Sequence, residues 1–268
     1  MYAIGAAVMV ILTINPGCDL ALSERIINHS SVFGIIFELF GYWPTMLPLL
    51  LASAFMLFYR KKWSLPVYII TGTLSVIGVI IGAAYIGAIP VLFFVDHFKV
   101  GSNIFAIPAV LIAAGLSLLL AKKIRPENRD ALRSCSFIVV LYTLAAELVA
   151  YGVKIPWGRA RPQELELGGV FTPWFIPQGV TGSQSFPSGH VLESTGILLI
   201  IFLLCWYSEK VRRYQLPLYL LSIGFILCVA ISRILVGAHF ASDVTMGALL
   251  GISVNLIAVI IWKRKIAV

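Results

Sequence analysis

Three short polar segments interrupt an otherwise apolar chain, and each contains residues able to bind an anion or transfer a proton. They are Lys154–Pro162, Ser185–His190 and Ser232–Asp243. Arginine presents a planar fork that matches phosphate oxygens, whereas lysine acts as a point charge. Cations brought to one place repel each other unless they share an anion. The sequence therefore predicts a phosphate site held by three cations: Lys154, Arg161 and Arg233.

The second segment supplies donors that carry no charge. Pro187, Ser188 and Gly189 come directly before an apolar helical run. Free backbone N–H groups at the start of a helix favour an anion, and glycine permits its close approach. The Ser188 hydroxyl adds one more donor. We therefore expect Ser188 and Gly189 to hold phosphoryl oxygens.

Two of the four histidines lie in these segments. His239 and Asp243 are four residues apart and share a face on a helix, so the carboxylate can orient the ring of a histidine nucleophile. His190 can protonate a leaving oxygen, since histidine titrates near neutral pH. Phosphoryl transfer otherwise needs positioning and neutralised charge. The cations supply both, and the chain has no CxxC pair, so we expect no metal ion and no cofactor.

The spacing Lys-x6-Arg-Pro, then Pro-Ser-Gly-His, then Ser-Arg-x5-His-x3-Asp resembles the type 2 phosphatidic acid phosphatase family, which shares its site design with vanadium haloperoxidases. The resemblance covers about residues 154–243. It implies a helical bundle and a phosphohistidine intermediate on His239, oriented by Asp243. His190 would act as acid and then as base toward water. The remaining motif residues would bind phosphate, namely Lys154, Arg161, Ser188, Gly189 and Arg233.

Two further residues are candidates for accessory roles. Glu193 follows His190 by three positions inside an apolar run, where acids are functional candidates. It either contacts His190 or the substrate, or it is a carboxyl that is paired with another helix or kept protonated. Arg159 either contacts a second phosphate or a headgroup, or it is a solvated loop cation. For Glu147, two turns before Lys154, we expect a structural pair with a neighbouring helix.

Composition places these segments in a membrane protein. Of the 268 residues, 60% are hydrophobic and 12% are charged, with a mean hydropathy of +0.97. Soluble domains are about 25% charged. The net charge of +8 does not indicate nucleic-acid binding, because membrane proteins concentrate Lys and Arg in cytoplasmic loops.

Eight apolar runs follow one another, and most are long enough for a spanning helix of about 20 residues. We expect an all-α polytopic membrane bundle with a six-helix core and eight spans, forming a single domain over residues 1–268. An interpretation with six spans stays open if neither the first run nor the third, which is rich in glycine, crosses the membrane. The runs are Tyr2–Ile14, Trp43–Tyr59, Val67–Val95, Ile104–Ala121, Cys135–Val153, Val191–Tyr207, Gln215–Val236 and Val244–Trp262.

Charge along the chain predicts its orientation. If every run crosses once, 14 of the 20 Lys and Arg fall on one side. By the positive-inside rule both termini are then cytoplasmic, and the three polar segments lie on the outer face of a bacterial inner membrane. The six outer cations are Arg25, Lys99, Lys154, Arg159, Arg161 and Arg233.

A site at the membrane surface is accessible to a lipid headgroup. We therefore expect a metal-independent hydrolase of a lipid phosphate or diphosphate, such as phosphatidic acid, phosphatidylglycerol phosphate, undecaprenyl diphosphate or a phosphate of lipid A. One alternative is a lipid-to-lipid phosphotransferase, in which an acceptor hydroxyl replaces water. Another is a transporter or binding protein, which would need the cations but not the pair of His239 and Asp243.

Overall fold

The computed structural model describes residues 2–59, 64–98 and 103–266, and every regular element in these ranges is a helix. The prediction of an all-α fold is confirmed. A π-helical turn, Ala84–Ala88, lies between α5 and α6, and short 3-10 turns precede α7 and α8. The α-helices are α1 Tyr2–Ile14, α2 Gly17–Ile26, α3 Val32–Phe40, α4 Trp43–Tyr59, α5 Leu65–Ala83, α6 Ile89–Phe98, α7 Ala106–Lys122, α8 Arg129–Trp157, α9 Pro162–Leu165, α10 Gly189–Ser194, α11 Gly196–Tyr207, α12 Glu209–Arg212, α13 Gln215–Leu235 and α14 Ala241–Ile266.

Helices of membrane-spanning length make up most of the chain, and the molecule is an integral membrane protein. Seven stretches in the described ranges are long and apolar enough to cross a bilayer. The count becomes eight if α1 and α2 form one broken span. The stretches are Val32–Tyr59, Leu65–Asp96, Asn103–Lys122, Pro126–Leu165, Gly189–Tyr207, Gln215–Leu235 and Ala241–Arg264.

The first apolar run, Tyr2–Ile14, forms α1, and a second helix follows it directly. Helices α1 and α2 meet at a bend of 104°. At about 1.5 Å per residue, the 13 residues of α1 measure about 20 Å, less than the roughly 30 Å hydrocarbon core of a bilayer. The α1 helix packs along α14, with the Tyr2 hydroxyl 3.3 Å from the Ser253 hydroxyl.

The chain groups into two compact units. The first comprises Met1–Tyr42, Leu144–Ile201 and Arg213–Val268, and the second comprises Trp43–Thr143 and Phe202–Arg212. The single-domain organisation stays a prediction. Arg60, Lys61, Lys62 and Lys99, which were used in the charge count, lie outside the described residues.

The first unit contains all three polar segments. Its core joins α1, α10, α13 and α14 through side chains that are less than one-tenth exposed: Leu12, Val191, Ile226, Val229, Ile234, Ala241 and Val244. In the second unit, α4 packs against α5 and α7. The second unit therefore contributes none of the predicted site residues.

Candidate active site

The loop between α9 and α10 brings the three polar segments together. The Lys154 ammonium donates to the carbonyl oxygen of Gln184 at 3.0 Å. One residue further, the Ser185 carbonyl contacts the ring of His239. The Ser188 N–H donates to the carbonyl of Asp243 at 2.9 Å. One stretch of backbone, residues 184–188, thus binds both the end of α8 and the start of α14.

Aromatic rings hold this loop in place. Phe186 is buried, and its ring stacks on Trp157 at a centroid distance of 4.8 Å and on Trp174 at 5.7 Å. The Trp157 indole N–H donates to the carbonyl of Trp174 at 2.6 Å. Planar aromatic contacts restrain both position and orientation, so the neighbouring Ser185 is fixed in space.

The ring of His239 is oriented by a backbone carbonyl. Its Nδ1 lies 2.7 Å from the carbonyl oxygen of Ser185 but 3.9 Å from Oδ2 of Asp243. A carbonyl can only accept, so Nδ1 carries the proton and Nε2 keeps its lone pair. We expected Asp243 to accept this hydrogen bond directly, and the geometry differs because the carboxylate is occupied by other donors.

Burial also keeps His239 neutral. The ring is 3% exposed, and the pKa of His239 is lowered to about 4 mainly because burial disfavours the imidazolium. The charges of Lys154 and Arg161 lower this pKa further, whereas the nearby Asp243 acts in the opposite direction. At neutral pH the residue is a neutral imidazole, the form that a nucleophile requires.

Asp243 organises the start of α14 instead. Its Oδ2 accepts the hydroxyl of Ser185 at 2.6 Å and the N–H of Phe240 at 2.8 Å. Phe240 is the N-cap of the helix, so the carboxylate closes the first turn as in a capping box. Asp243 therefore acts on His239 indirectly, through Ser185 on one side and the helix start on the other.

Both expectations for Arg159 are wrong, because the side chain is 0% exposed and contacts neither solvent nor open space. Its guanidinium forms ion pairs with Asp243 and with Asp19, the latter at 3.0 Å. It also donates to the Ser242 hydroxyl at 2.7 Å and to the carbonyl of Thr172 at 2.9 Å. The sequence does not reveal this role, because Asp19 lies 140 positions away.

An unsatisfied hydroxyl lies at the start of α10. The Ser188 hydroxyl is buried and has no hydrogen-bond partner in the described part of the chain. None of the backbone N–H groups of Gly189, His190 and Val191 donates within the described ranges. Buried polar groups are normally paired, so these free donors fit an incoming anion.

Two cations accompany these donors. Lys154 lies close to Gly189, since a Cβ built on that glycine would be 3.8 Å from the ammonium nitrogen. The Arg161 guanidinium is half-buried and makes no hydrogen bond to any residue the structure describes. The charges of Lys154 and Arg161 act on both His190 and His239. These two side chains are therefore placed to bind oxygens of a phosphoryl group.

Arg233 is placed differently from Lys154 and Arg161. Its guanidinium donates to the carbonyl of Gly34 at 3.0 Å and pairs with Glu38 at 3.4 Å. The carbonyl of Arg233 accepts the N–H of His239 at 3.2 Å. Arg233 thus ties α3 to the turn that carries the nucleophile candidate, and its charge also acts on His190.

His190 remains open for chemistry. Its ring meets the edge of Tyr42 at a centroid distance of 5.5 Å, and neither ring nitrogen is hydrogen-bonded to a described residue. One turn later, Glu193 pairs with Glu147 of α8. This contact matches the alternative of a carboxyl paired with another helix. No group of three or more His, Cys, Asp or Glu in the described ranges is arranged to hold a metal ion.

Comparison with known proteins agrees with this geometry. Residues 135–267 match the model of the PAP2 superfamily. The chain belongs to the PAP2 superfamily through this segment. The resemblance drawn from the three motifs is confirmed, and the matched segment contains every site residue that the motifs predicted.

Two curated relatives were found. A lipid A 1-phosphatase from Rhizobium johnstonii is 33% identical over 132 residues, covering 48% of this chain and 46% of the relative. A lipid A 1-phosphatase from Rhizobium etli is 33% identical over 121 residues, covering 44% and 46%. The chain thus spans just under half the length of the relatives it matches. No solved structure matches this chain.

Proposed function

We propose that this protein is a metal-independent lipid phosphate phosphatase that acts through a phosphohistidine on His239. The observation that carries the proposal is the contact between His239 Nδ1 and the Ser185 carbonyl, which leaves Nε2 unprotonated. The charges of Lys154 and Arg161 act on the same ring, and the buried Ser188 hydroxyl has no partner among the described residues. A binding protein would need the cations but not a buried, oriented, neutral histidine.

The reaction has two steps. In the first, Nε2 of His239 forms a bond to phosphorus while the bond from phosphorus to the lipid oxygen breaks, and His190 gives that oxygen a proton. In the second, water attacks the phosphohistidine, His190 takes a proton from the water, and inorganic phosphate leaves with the lone pair of Nε2 restored. Lys154, Arg161 and Ser188 stabilise the charge on the phosphoryl oxygens in both steps.

The substrate class is a lipid phosphate, and the 1-phosphate of lipid A is the first compound to test. Both matched relatives carry the name lipid A 1-phosphatase. The site residues adjoin the ends of apolar helices of spanning length, which supports a substrate presented by a bilayer. The split of Lys and Arg between the two sides supports a site on the outer face with both termini in the cytoplasm if the chain crosses eight times.

Phosphate release in detergent micelles tests the proposal. Wild type and His239→Ala are compared in EDTA on lipid A, phosphatidic acid, phosphatidylglycerol phosphate and undecaprenyl diphosphate. We expect release by the wild type that survives EDTA and is lost in the variant, with lipid A as the best substrate. Transfer of labelled phosphate to a second lipid, without free phosphate, would contradict hydrolysis. Release dependent on a divalent metal would contradict the metal-independent mechanism.

A further inference from the structure

An acidic residue of the N-terminal helix pair is built into the active site. Asp19, in α2, is 1% exposed. Its Oδ1 accepts the backbone N–H of Ser242 at 3.0 Å. Its Oδ2 accepts from Arg159 at 3.0 Å and from the Ser242 hydroxyl. A buried carboxylate is costly unless it is paired and hydrogen-bonded, and here all the donors come from two residues of the active-site framework.

These contacts fix the residues on either side of the nucleophile candidate. Ser242 belongs to the first turn of α14, whose orphan N–H groups need acceptors. Asp19 supplies one for Ser242, and Asp243 supplies one for Phe240. His239 directly precedes this turn, so both carboxylates determine where its backbone lies.

Asp19 also sets the position of Arg159. The guanidinium uses one nitrogen for Asp19 and another for Asp243. The rings of Phe240 and Phe171 lie 4.3 Å and 5.5 Å from its central carbon. If the charge of Asp19 were lost, Arg159 would keep only one of its two ion pairs, and its position beside Asp243 would be less restrained.

We propose that Asp19 is a positioning residue for His239, acting through Ser242 and Arg159, so that helix α2 is part of the active site. Asp19 lies outside the segment, residues 135–267, that matches the PAP2 superfamily. The inference deepens the proposed function and rests on it. It predicts that the N-terminal helix pair contributes to turnover as well as to membrane anchoring.

The test compares Asp19→Asn, Ser242→Ala and the double variant with Glu24→Gln, an exposed acid on the same helix. The asparagine keeps the size of the side chain and an acceptor for the Ser242 N–H, but it loses the charge facing Arg159. We expect kcat to fall about 10- to 100-fold at nearly unchanged KM, the loss typical of removing a charge-assisted hydrogen bond. Glu24→Gln is expected to keep full activity.

A second measurement separates positioning from general stability. The ring nitrogens of His239 are followed by NMR in protein with ¹⁵N-labelled histidine, after each variant is matched for folded fraction. We expect Asp19→Asn and Ser242→Ala to change the His239 signals and to leave those of His29 unchanged. The losses of kcat should be less than additive in the double variant, since Asp19, Ser242 and Arg159 belong to one hydrogen-bonded network.

Three results would overturn the inference. The first is a folded Asp19→Asn protein with wild-type kcat and unchanged His239 signals. The second is a loss of kcat in the single variants that adds up in the double variant. The third is a loss of kcat that is fully accounted for by a smaller fraction of folded protein. If Asp19→Asn fails to fold, kcat and the His239 signals of Ser242→Ala still test the inference, because that variant keeps the ion pair between Asp19 and Arg159. A wild type inactive on every lipid would refute the proposed function alone, since the NMR comparison needs no turnover.

Discussion

The ring of His239 donates from Nδ1 to the carbonyl oxygen of Ser185 at 2.7 Å, so the backbone of the loop before α10 determines its tautomer. The carboxylate four residues later lies 3.9 Å from the same nitrogen. Asp243 accepts the Ser185 hydroxyl at 2.6 Å and therefore acts on His239 through Ser185. The roles of these residues can be separated by experiment.

Asp243→Asn should reduce stability as well as activity. Its carboxylate faces the buried guanidinium of Arg159, and breaking a buried ion pair by removing one charge costs about 3–5 kcal/mol. The measurement is thermal unfolding in detergent. His239→Gln serves as the control, because it removes the ring but keeps the ion pair. An Asp243→Asn protein as stable as wild type, with only kcat reduced, would mean that orientation of the ring is the main role of Asp243.

Ser188→Ala should reduce activity without loss of stability. The hydroxyl is buried without a partner, so its removal breaks no hydrogen bond in the free protein. A hydrogen bond to a charged group contributes about 1.5–3 kcal/mol, which corresponds to a fall in kcat/KM of about 10- to 150-fold. Ser194→Ala is the matched control, since the Ser194 hydroxyl is also buried but donates to the carbonyl of Val191 at 2.8 Å. Equal kinetics in the two variants would argue against a phosphate contact at Ser188.

Arg159→Lys should change stability and Arg161→Lys should change substrate binding, although the two residues are only two positions apart. Lysine cannot make the paired contacts of the buried Arg159 guanidinium, so Arg159→Lys should lower the melting temperature. Arg161 has no hydrogen-bonded partner for its guanidinium among the described residues, so Arg161→Lys should keep the melting temperature and raise KM. Unfolding scans and steady-state kinetics on the same preparations check both. A destabilised Arg161→Lys protein with normal KM would reverse the assignment.

Two histidines should titrate in opposite directions from the usual value near 6.5. The pKa of His29 is raised because its ring is hydrogen-bonded to Glu166 and to the carbonyl of Val236. The pKa of His239 is lowered to about 4 by burial. As pH falls from 8, His29 should therefore gain its proton above pH 6.5, and His239 should stay neutral until about pH 4.

An NMR titration of the four histidines measures both values. Glu166→Gln should return the pKa of His29 toward 6.5 and leave that of His239 unchanged. If His239 gained its proton near pH 6.5 in the free protein, the ring would be more accessible to water than the structure indicates.

The motifs identified the reactive residues because reactivity depends on side-chain types and on short spacings along the sequence. His239, His190, Lys154 and Ser188 needed no knowledge of the fold. The orientation of His239 could not be predicted in the same way, because it depends on a main-chain carbonyl of Ser185, and every residue has one. Composition and hydropathy likewise predicted the helices but not the bend between α1 and α2.

Ion pairs between residues far apart in the sequence could not be predicted either. The sequence leaves Arg159 either in contact with a phosphate or headgroup or as a solvated loop cation, because Asp19 lies far away in sequence. It assigns Arg233 to phosphate without its partner Glu38. The sequence gives no signal for Asp19, which lies after the first apolar run in a segment that also contains Glu24 and Arg25. An acid among other charged residues does not stand out, and nothing in the sequence identifies Arg159 as its partner.

Trapping the phosphorylated enzyme tests the central claim most directly. His190→Ala lacks the base that activates water, so the phosphohistidine should accumulate when the variant reacts with a ³²P-labelled aryl phosphate, whose leaving group needs no proton. We predict label that is stable to alkali, labile to acid and located on His239 by peptide mapping. The label should be absent from the His190→Ala, His239→Ala double variant. Label on another residue, or phosphate release by His239→Ala at the wild-type rate, would contradict the account.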